Sequence, residues 1–158
     1  MNRDAQVDSI ARRLIDTGFG LRPIKNAPWV ESIEKRLGYS YPRSFRSFVT
    51  RYSFPYLEFE EVKLFSNLGD RSEYDLTTAP FRDHYLGPWL IERRLVYIGH
   101  PYLGDYDPIC LDLEAGKPGG EPPVVRLDHE DILLERRKVA KATVASTFLA
   151  LLEAQIQA

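Results

Sequence analysis

The chain has 158 residues, of which 44% are hydrophobic, 12% aromatic and 28% charged, and its formal net charge is -2. This length and composition predict one soluble folded domain, residues 1–158, with a sizeable core, and exclude a disordered chain. The mildly acidic balance gives no global electrostatic reason to bind nucleic acid or an anionic membrane, although a local basic patch stays open.

Cysteine usage and the N-terminal residues bear on the compartment. Cys110 is the only cysteine, so no intrachain disulfide can form and a reducing compartment suits the chain. Charged residues stand near the N-terminus where a signal peptide needs an apolar core, and no segment has about eighteen consecutive apolar residues. We therefore expect a cytoplasmic protein without export or a membrane span.

Apolar residues at helical spacing predict two helices at the start of the chain. The first helix carries Val7, Ile10, Ala11, Leu14 and Ile15. Gly18 or Gly20 can end it. In the second, Asn26 is a candidate N-cap, Pro28 lies in the first turn, and Gly38 is in the usual stop position.

A third helix is predicted after Pro42, which suits a helix start. Its aromatic and apolar stripe consists of Phe45, Phe48, Val49 and Tyr52. Such stripes far more often face a sheet than line a cofactor pocket, so we expect these side chains in the core.

The hydrophobic period then changes to that of strands. Residues 56–60 and 62–65 alternate as half-buried strands do, and the short gap between them predicts an antiparallel pair. Residues 66–88 read as a long irregular connection with at most short helical turns. Residues 89–92 fit either a helix or a strand.

Three further strands are predicted over residues 94–99, 107–113 and 124–127. Residues 114–121 are rich in glycine and proline, as in a long hairpin loop, so the last two strands should pair antiparallel.

Two patterns fill the C-terminal part. Acidic residues from Asp128 to Glu135 precede basic residues from Arg136 to Lys141, a polarity that suits a solvated helix. A terminal helix is predicted from Ala145, Phe148, Leu149, Leu152 and Ile156. Ser146 or Thr143 is its candidate cap. Helices, then an antiparallel meander, then a helix indicate an α+β fold: N-terminal helices, a central antiparallel sheet and a C-terminal helix.

Metal, cofactor and phosphate-loop chemistry find little support. One cysteine and three scattered histidines, His84, His100 and His129, do not make a metal-ligand pattern, so we expect no metal site and no cofactor. Gly116-Lys117 is followed by Pro118, and the loop lies between strands instead of before a helix, which excludes a nucleotide-hydrolysing loop.

Two classes of catalytic site remain to be considered, one with a nucleophile and one with paired carboxylates. No nucleophile elbow exists, and Cys110 lies inside a strand pattern without positive neighbours. Five acidic residues could converge where the two last strands end: Asp105, Asp107, Asp112, Asp128 and Glu130. Turn and cap roles explain most of them, because Asp favours both.

The residues that carry a family resemblance are spread over most of the chain. They are Ile33-Glu34-Lys35-Arg36-Leu37-Gly38, Tyr41-Pro42-Arg43-Ser44-Phe45-Arg46-Ser47-Phe48, Asp107-Pro108-Ile109-Cys110-Leu111-Asp112-Leu113, and Pro122-Pro123-Val124-Val125 with Asp128-His129-Glu130. In this order the motifs resemble the SUKH superfamily, and within it the Smi/Knr type named after a yeast cell-wall synthesis regulator. Members usually carry Gly-Asp directly before the strand, whereas Tyr106 and Asp107 follow Gly104-Asp105 here.

The resemblance implies a non-enzymatic bacterial immunity protein whose partner is a cognate polymorphic toxin, often a nuclease. Aromatic and charged residues suit interface anchors. The candidate partner-binding residues are Trp89, Tyr102, Asp105, Tyr106, Asp107, Asp128 and Glu130. A regulatory scaffold module and a carboxylate-based hydrolase are the alternatives, and a homodimer stays open.

Overall fold

A computed structural model describes residues 2–103 and 106–157, in which seven helices and eight strands are assigned. The helices are α1 (Arg3–Thr17), α2 (Trp29–Leu37), α3 (Arg43–Arg51), α4 (Ala79–Arg82), α5 (Leu86–Glu92), α6 (His129–Leu133) and α7 (Phe148–Gln157). The strands are β1 (Arg22–Pro23), β2 (Tyr52–Ser53), β3 (Leu57–Glu58), β4 (Val62–Leu64), β5 (Leu95–Pro101), β6 (Ile109–Asp112), β7 (Val124–Leu127) and β8 (Lys141–Ala145).

One antiparallel sheet organises the molecule. Strands β3 to β8 lie side by side in chain order, and each neighbouring pair is antiparallel. Strands β1 and β2 form a separate antiparallel pair. The predicted α+β fold, with N-terminal helices, a central antiparallel sheet and a C-terminal helix, is confirmed.

Alternation along the central strands gives the sheet two buried faces, because successive side chains of a strand point to opposite sides. Val96, Ile109 and Leu111 belong to a large core that includes side chains of α1, α2, α3 and α7. Leu95 and Cys110 belong to a smaller core beneath α5 and α6. The sheet is therefore covered by long helices on one face and by short helices on the other.

The first two helices form as predicted, except at one cap. Asn2 caps α1 by accepting from Ala5 N at 2.8 Å, and Gly18 ends this helix in the left-handed conformation. Gly38 ends α2 in the same way. The N-cap prediction at Asn26 is wrong, because α2 starts two residues later than that cap would require and Pro28 occupies the position before its first residue.

The aromatic stripe of α3 is core, as expected. Phe45, Phe48 and Val49 are fully buried. The rings of Phe45 and Phe48 lie 5.1 and 5.5 Å from that of Phe148, in edge-to-face geometry that suits aromatic packing. Tyr52 lies just beyond the helix and starts β2.

The predicted charged helix of residues 128–141 is wrong over its second half. Helix α6 ends at Leu133, and the basic residues lead into β8, which pairs with β7. Asp131 holds the connection, since its side chain accepts from Ala140 N at 2.9 Å and pairs with Arg136 at 3.1 Å. A continued helix would leave the backbone of β7 unpaired along this edge.

Two smaller predictions are corrected or resolved. The ambiguous residues 89–92 are helical, as part of α5. The cap of α7 is Thr147, whose hydroxyl accepts from Ala150 N at 3.1 Å, and not Ser146 or Thr143. Thr143 lies within β8, where its backbone pairs with Val125.

Candidate functional site

A groove of about 900 Å³ lies on the sheet face that carries the smaller core. Its floor includes Lys63 of β4 with Tyr97 and His100 of β5. Residues near α4 and α5 form one wall, and His129 and Leu133 of α6 border the other side. We call this depression the aromatic groove.

Five rings pack together at the groove. The ring of Tyr74 stacks on that of Tyr56 at 5.0 Å and lies 5.3 Å from His100. Phe65 contacts Tyr97 edge-to-face at 4.9 Å. Four separate segments supply these rings, so the cluster ties the long connection after β4 to the sheet.

His100 lies in the middle of this cluster with both ring nitrogens engaged. Its Nδ1 lies 3.1 Å from the carbonyl oxygen of Pro101, and its Nε2 is bonded to the hydroxyl of Tyr56. A carbonyl only accepts, so Nδ1 carries the proton and Nε2 accepts from Tyr56. Burial lowers the pKa of His100 and raises that of Tyr56, which keeps both groups neutral.

Asp107 organises the edge of the groove where β6 begins and β7 ends. Its carboxylate accepts from Arg126 Nε at 2.8 Å and from the backbone N–H of His129 at 2.9 Å. Its Oδ1 also lies 2.6 Å from Nδ1 of His129. Burial alone would raise the pKa of Asp107, but the hydrogen bonds from His129 and Arg126 hold it below the ordinary value.

Two of the predicted partner-binding residues are exposed aromatics beside the groove. Tyr106 is 79% exposed, lines the groove, and its ring lies 5.9 Å from that of His129. Tyr102 is exposed, and Lys63 Nζ lies 5.2 Å from its ring centroid.

The predicted acidic residues separate into different roles. Asp107 is half-buried and bonded as above, and Asp128 is the N-cap of α6, accepting from Asp131 N at 3.1 Å. Glu130 is exposed on α6, next to His129. The prediction at Asp105 lies outside the described residues.

Trp89 is not brought to the groove. It is half-buried on α5 against the smaller core, and the guanidinium of Arg93 lies 3.9 Å from its ring centroid. Its neighbour Leu86, one turn earlier on the same helix, does line the groove.

The predicted convergence of five carboxylates does not form among the described residues. Strands β6 and β7 run antiparallel, so Asp107 before β6 and Asp128 after β7 share one end. Asp112 lies at the other end, 2% exposed, with Lys141 Nζ 2.5 Å from its carboxylate. A hydrolase using Asp112 and Asp128 together is therefore not supported by their positions.

Asp107, Asp128 and His129 place one potential metal ligand each within 4.8 Å of one another. Both oxygens of Asp107 already accept from Arg126 or His129. A guanidinium and N–H donors therefore supply the positive partners that a cation would provide, which favours a hydrogen-bonded network.

Cys110 is fully buried in β6. Burial, with a smaller effect from Asp112, raises the pKa of its thiol well above the ordinary value. This is the opposite of an activated nucleophile.

Exposed apolar side chains concentrate around the groove. Of the eight large ones among the described residues, three line it: Tyr74, Tyr106 and Leu133. Three more contact or adjoin residues that line it: Tyr85 beside Leu86, Tyr102 against Lys63, and Leu134 beside Leu133. We call these six residues the tyrosine-leucine rim. The other two are Leu68, in the connection after β4, and Leu103, after β5.

Sequence reasoning missed Tyr56, Tyr74 and His100 as site residues. Tyr56 stood in a strand pattern, where aromatic residues ordinarily signal core. Tyr74 and His100 stood in or beside loops, and the interspersed aromatics of residues 66–88 were the only available signal.

The helices, the six-stranded antiparallel sheet and the aromatic groove define a small α+β protein. The chain belongs to the SMI1 / KNR4 family (SUKH-1), whose family model matches residues 28–154. A search of curated proteins gave no match. No helix among the described residues has the length and apolarity needed to cross a membrane.

Proposed function

We propose that this protein is a non-enzymatic immunity protein, a single domain over residues 1–158, that binds and neutralises a cognate polymorphic toxin in the cytoplasm of the producing bacterium. Membership of the SMI1 / KNR4 family supports the class. The observation that carries the proposal is the tyrosine-leucine rim, because six exposed apolar side chains line one groove or adjoin residues that line it. Contiguous exposed apolar patches of this kind mark interaction sites.

The chemistry of the rim suits a protein partner. Tyrosines supply large, amphipathic contact area and are enriched among interface anchors. Tyr74 and Tyr106 project beside a groove whose floor is held by packed rings, so the receiving surface is ordered before the partner arrives. Little ordering entropy then opposes association.

Charges near the rim favour a basic partner. Asp83 is exposed and lines the groove, and Glu130 is exposed on α6 next to His129. The two cations that line the groove are each near a carboxylate, Arg82 at 4.0 Å from Glu73 and Lys63 at 3.8 Å from Glu58. A toxin that acts on nucleic acid presents a positive surface for its substrate, and exposed carboxylates would steer and orient it.

The test begins by sequencing the reading frame next to this gene, which we expect to end in a small toxin domain, and it uses that domain. Co-expression should relieve its growth arrest, and titration calorimetry should give one-to-one binding. Tyr106→Ala with Tyr74→Ala should weaken binding by about a hundredfold or more, since anchor truncations cost about 2 kcal/mol each. Leu68→Ala, the matched exposed residue away from the rim, should leave affinity within about twofold.

The outcomes separate the candidate functions. Rescue without binding, or full affinity in the double tyrosine variant, would refute the proposed interface. Recovery of several unrelated partners and no toxin would transfer the assignment to a regulatory scaffold. Light scattering of the isolated protein decides whether the homodimer forms.

A further inference from the structure

A second depression, of about 550 Å³, lies between α2 and α4. It is lined by residues of α2, of the connection after β4, and of α4. Three of these residues are arginines: Arg36, Arg71 and Arg82. Neither aspartate nor glutamate lines it. We call it the arginine pocket.

The guanidinium groups of this pocket are poorly compensated by the described part of the chain. Arg82 has one carboxylate nearby, that of Glu73 at 4.0 Å, and both side chains are more than half exposed. No described carboxylate forms an ion pair with Arg36 or Arg71. The three arginines line one depression, and like charges near one another repel, so a bound anion would be stabilised there.

Arg36 is held in a way that leaves its donors available. Its guanidinium carbon lies 3.6 Å from the ring centroid of Phe81. Stacking uses the face of the guanidinium, so the N–H groups at its edge stay free to donate. The arrangement orders a flexible side chain before any ligand binds.

The opposite wall is fixed by a buried carboxylate. Asp75 is fully buried and accepts from Ser66 Oγ at 3.2 Å, from Gly69 N at 2.8 Å and from Thr77 N at 2.8 Å. These bonds close the turn that carries Arg71, whose φ of 60° is in the left-handed region. Non-glycine residues seldom adopt that conformation. The residue that adopts it here, Arg71, lines the pocket.

The remaining lining is mixed. Thr78 and Ser32 bring hydroxyls, and the half-buried indole of Trp29 brings an apolar wall. Planar guanidiniums match the oxygens of phosphate in bidentate fashion, and hydroxyls add further donors. The indole can contact an organic group attached to the phosphate.

We propose that the arginine pocket binds the phosphate group of a small phosphorylated ligand, through Arg36 and Arg71, with Trp29 against the organic portion. This binding is separate from the proposed toxin interface. Arg36 and Arg71 do not line the aromatic groove. Arg82 lines both depressions, so it is left unchanged in the test.

The experiment follows tryptophan fluorescence in Trp89→Phe, which leaves Trp29 as the only tryptophan of the two in the chain. The probes are AMP, inorganic phosphate and adenosine at up to millimolar concentration, with calorimetry on the wild-type chain as a second readout. AMP should change the fluorescence saturably, and adenosine should not. Inorganic phosphate should compete with AMP. Comparing the affinities of phosphate and AMP shows whether the pocket prefers a free anion or a phosphate ester.

Arginine variants locate the site. Arg36→Gln and Arg71→Gln should each weaken AMP binding by about tenfold or more, because each removes charge-assisted hydrogen bonds. Arg13→Gln, exposed on α1 and outside the pocket, should leave it unchanged. Adenosine binding as tightly as AMP, no saturable phosphate effect, or wild-type AMP affinity in both pocket variants would overturn the proposal. Toxin binding by Arg36→Gln should remain, which keeps the two proposals separable.

Discussion

Asp107 binds His129 at two points, through the backbone N–H at 2.9 Å and through ring Nδ1 at 2.6 Å. The first residue of α6 is thereby tied to the segment that enters β6. His129 and the exposed Tyr106 both border the aromatic groove. One carboxylate therefore fixes the edge of the candidate interface.

Replacement of Asp107 tests this role. Asp107→Ala removes hydrogen bonds to Arg126 and His129, and we expect the free energy of unfolding to fall by about 2 kcal/mol. Urea denaturation measures the change. Glu130→Ala is the matched control, because this exposed side chain should change stability by no more than about 0.5 kcal/mol. Equal losses in both variants would contradict the network described here.

Lys141 is expected to matter through the carboxylate that it covers. Asp112 is 2% exposed, and Lys141 Nζ lies 2.5 Å from it. Lys141→Met should leave a buried charge without its cation and destabilise the fold by about 3 kcal/mol, whereas Lys138→Met should be nearly neutral. In the double variant Lys141→Met with Asp112→Asn, much of the loss should be regained. A single variant as stable as wild type would show that the pair contributes nothing.

The strands that sequence could predict are those with strong apolar alternation. Residues 124–127 form β7 over the expected range, because Val124, Val125 and Leu127 are all buried. Strand β8 was missed, since most of its residues are exposed or half-buried and its first is a lysine. Strand β8 forms because it pairs with β7. The local sequence pattern of residues 141–145 carries no information on that pairing.

Some residues of the candidate site could be predicted from the sequence and others could not. Tyr106 and Tyr102 were predicted, because loop aromatics with few local packing partners stand out. Tyr56, Tyr74 and His100 were not, since their contacts join residues 18 to 44 positions apart in the chain. Periodicity reports which face of an element is apolar, and it says nothing of which elements meet.

Gly99 is predicted to be intolerant of a side chain. A Cβ at this position would lie 2.2 Å from the carbonyl oxygen of Lys63 on the neighbouring strand. The backbone of a paired strand cannot move aside as a flexible side chain can. Gly99→Ala should therefore lower the free energy of unfolding by about 3 kcal/mol or more, or prevent folding. Gly20→Ala is the control, because its nearest neighbour would be a Pro55 side-chain atom at 3.5 Å. Thermal denaturation of both variants decides the point, and a fully stable Gly99→Ala would refute the close approach.

The last prediction concerns the pH dependence introduced by His100. Burial lowers its pKa in the folded chain below the ordinary value of 6.5, so the unfolded chain binds more protons between those two pKa values. The stability of the wild type should therefore fall as pH decreases through this window. Protonation would also remove the acceptor that Nε2 offers to Tyr56.

His100→Gln cannot titrate, so its free energy of unfolding should vary less between about pH 7.5 and about pH 5.5 than that of the wild type. The other two histidines, His84 and His129, are present in both proteins and cancel in the comparison. An NMR titration of the ring protons of His100 supplies the direct measurement. A pKa at or above 6.5, or identical pH profiles for the two proteins, would show that the imidazole is not held neutral by its burial among these rings.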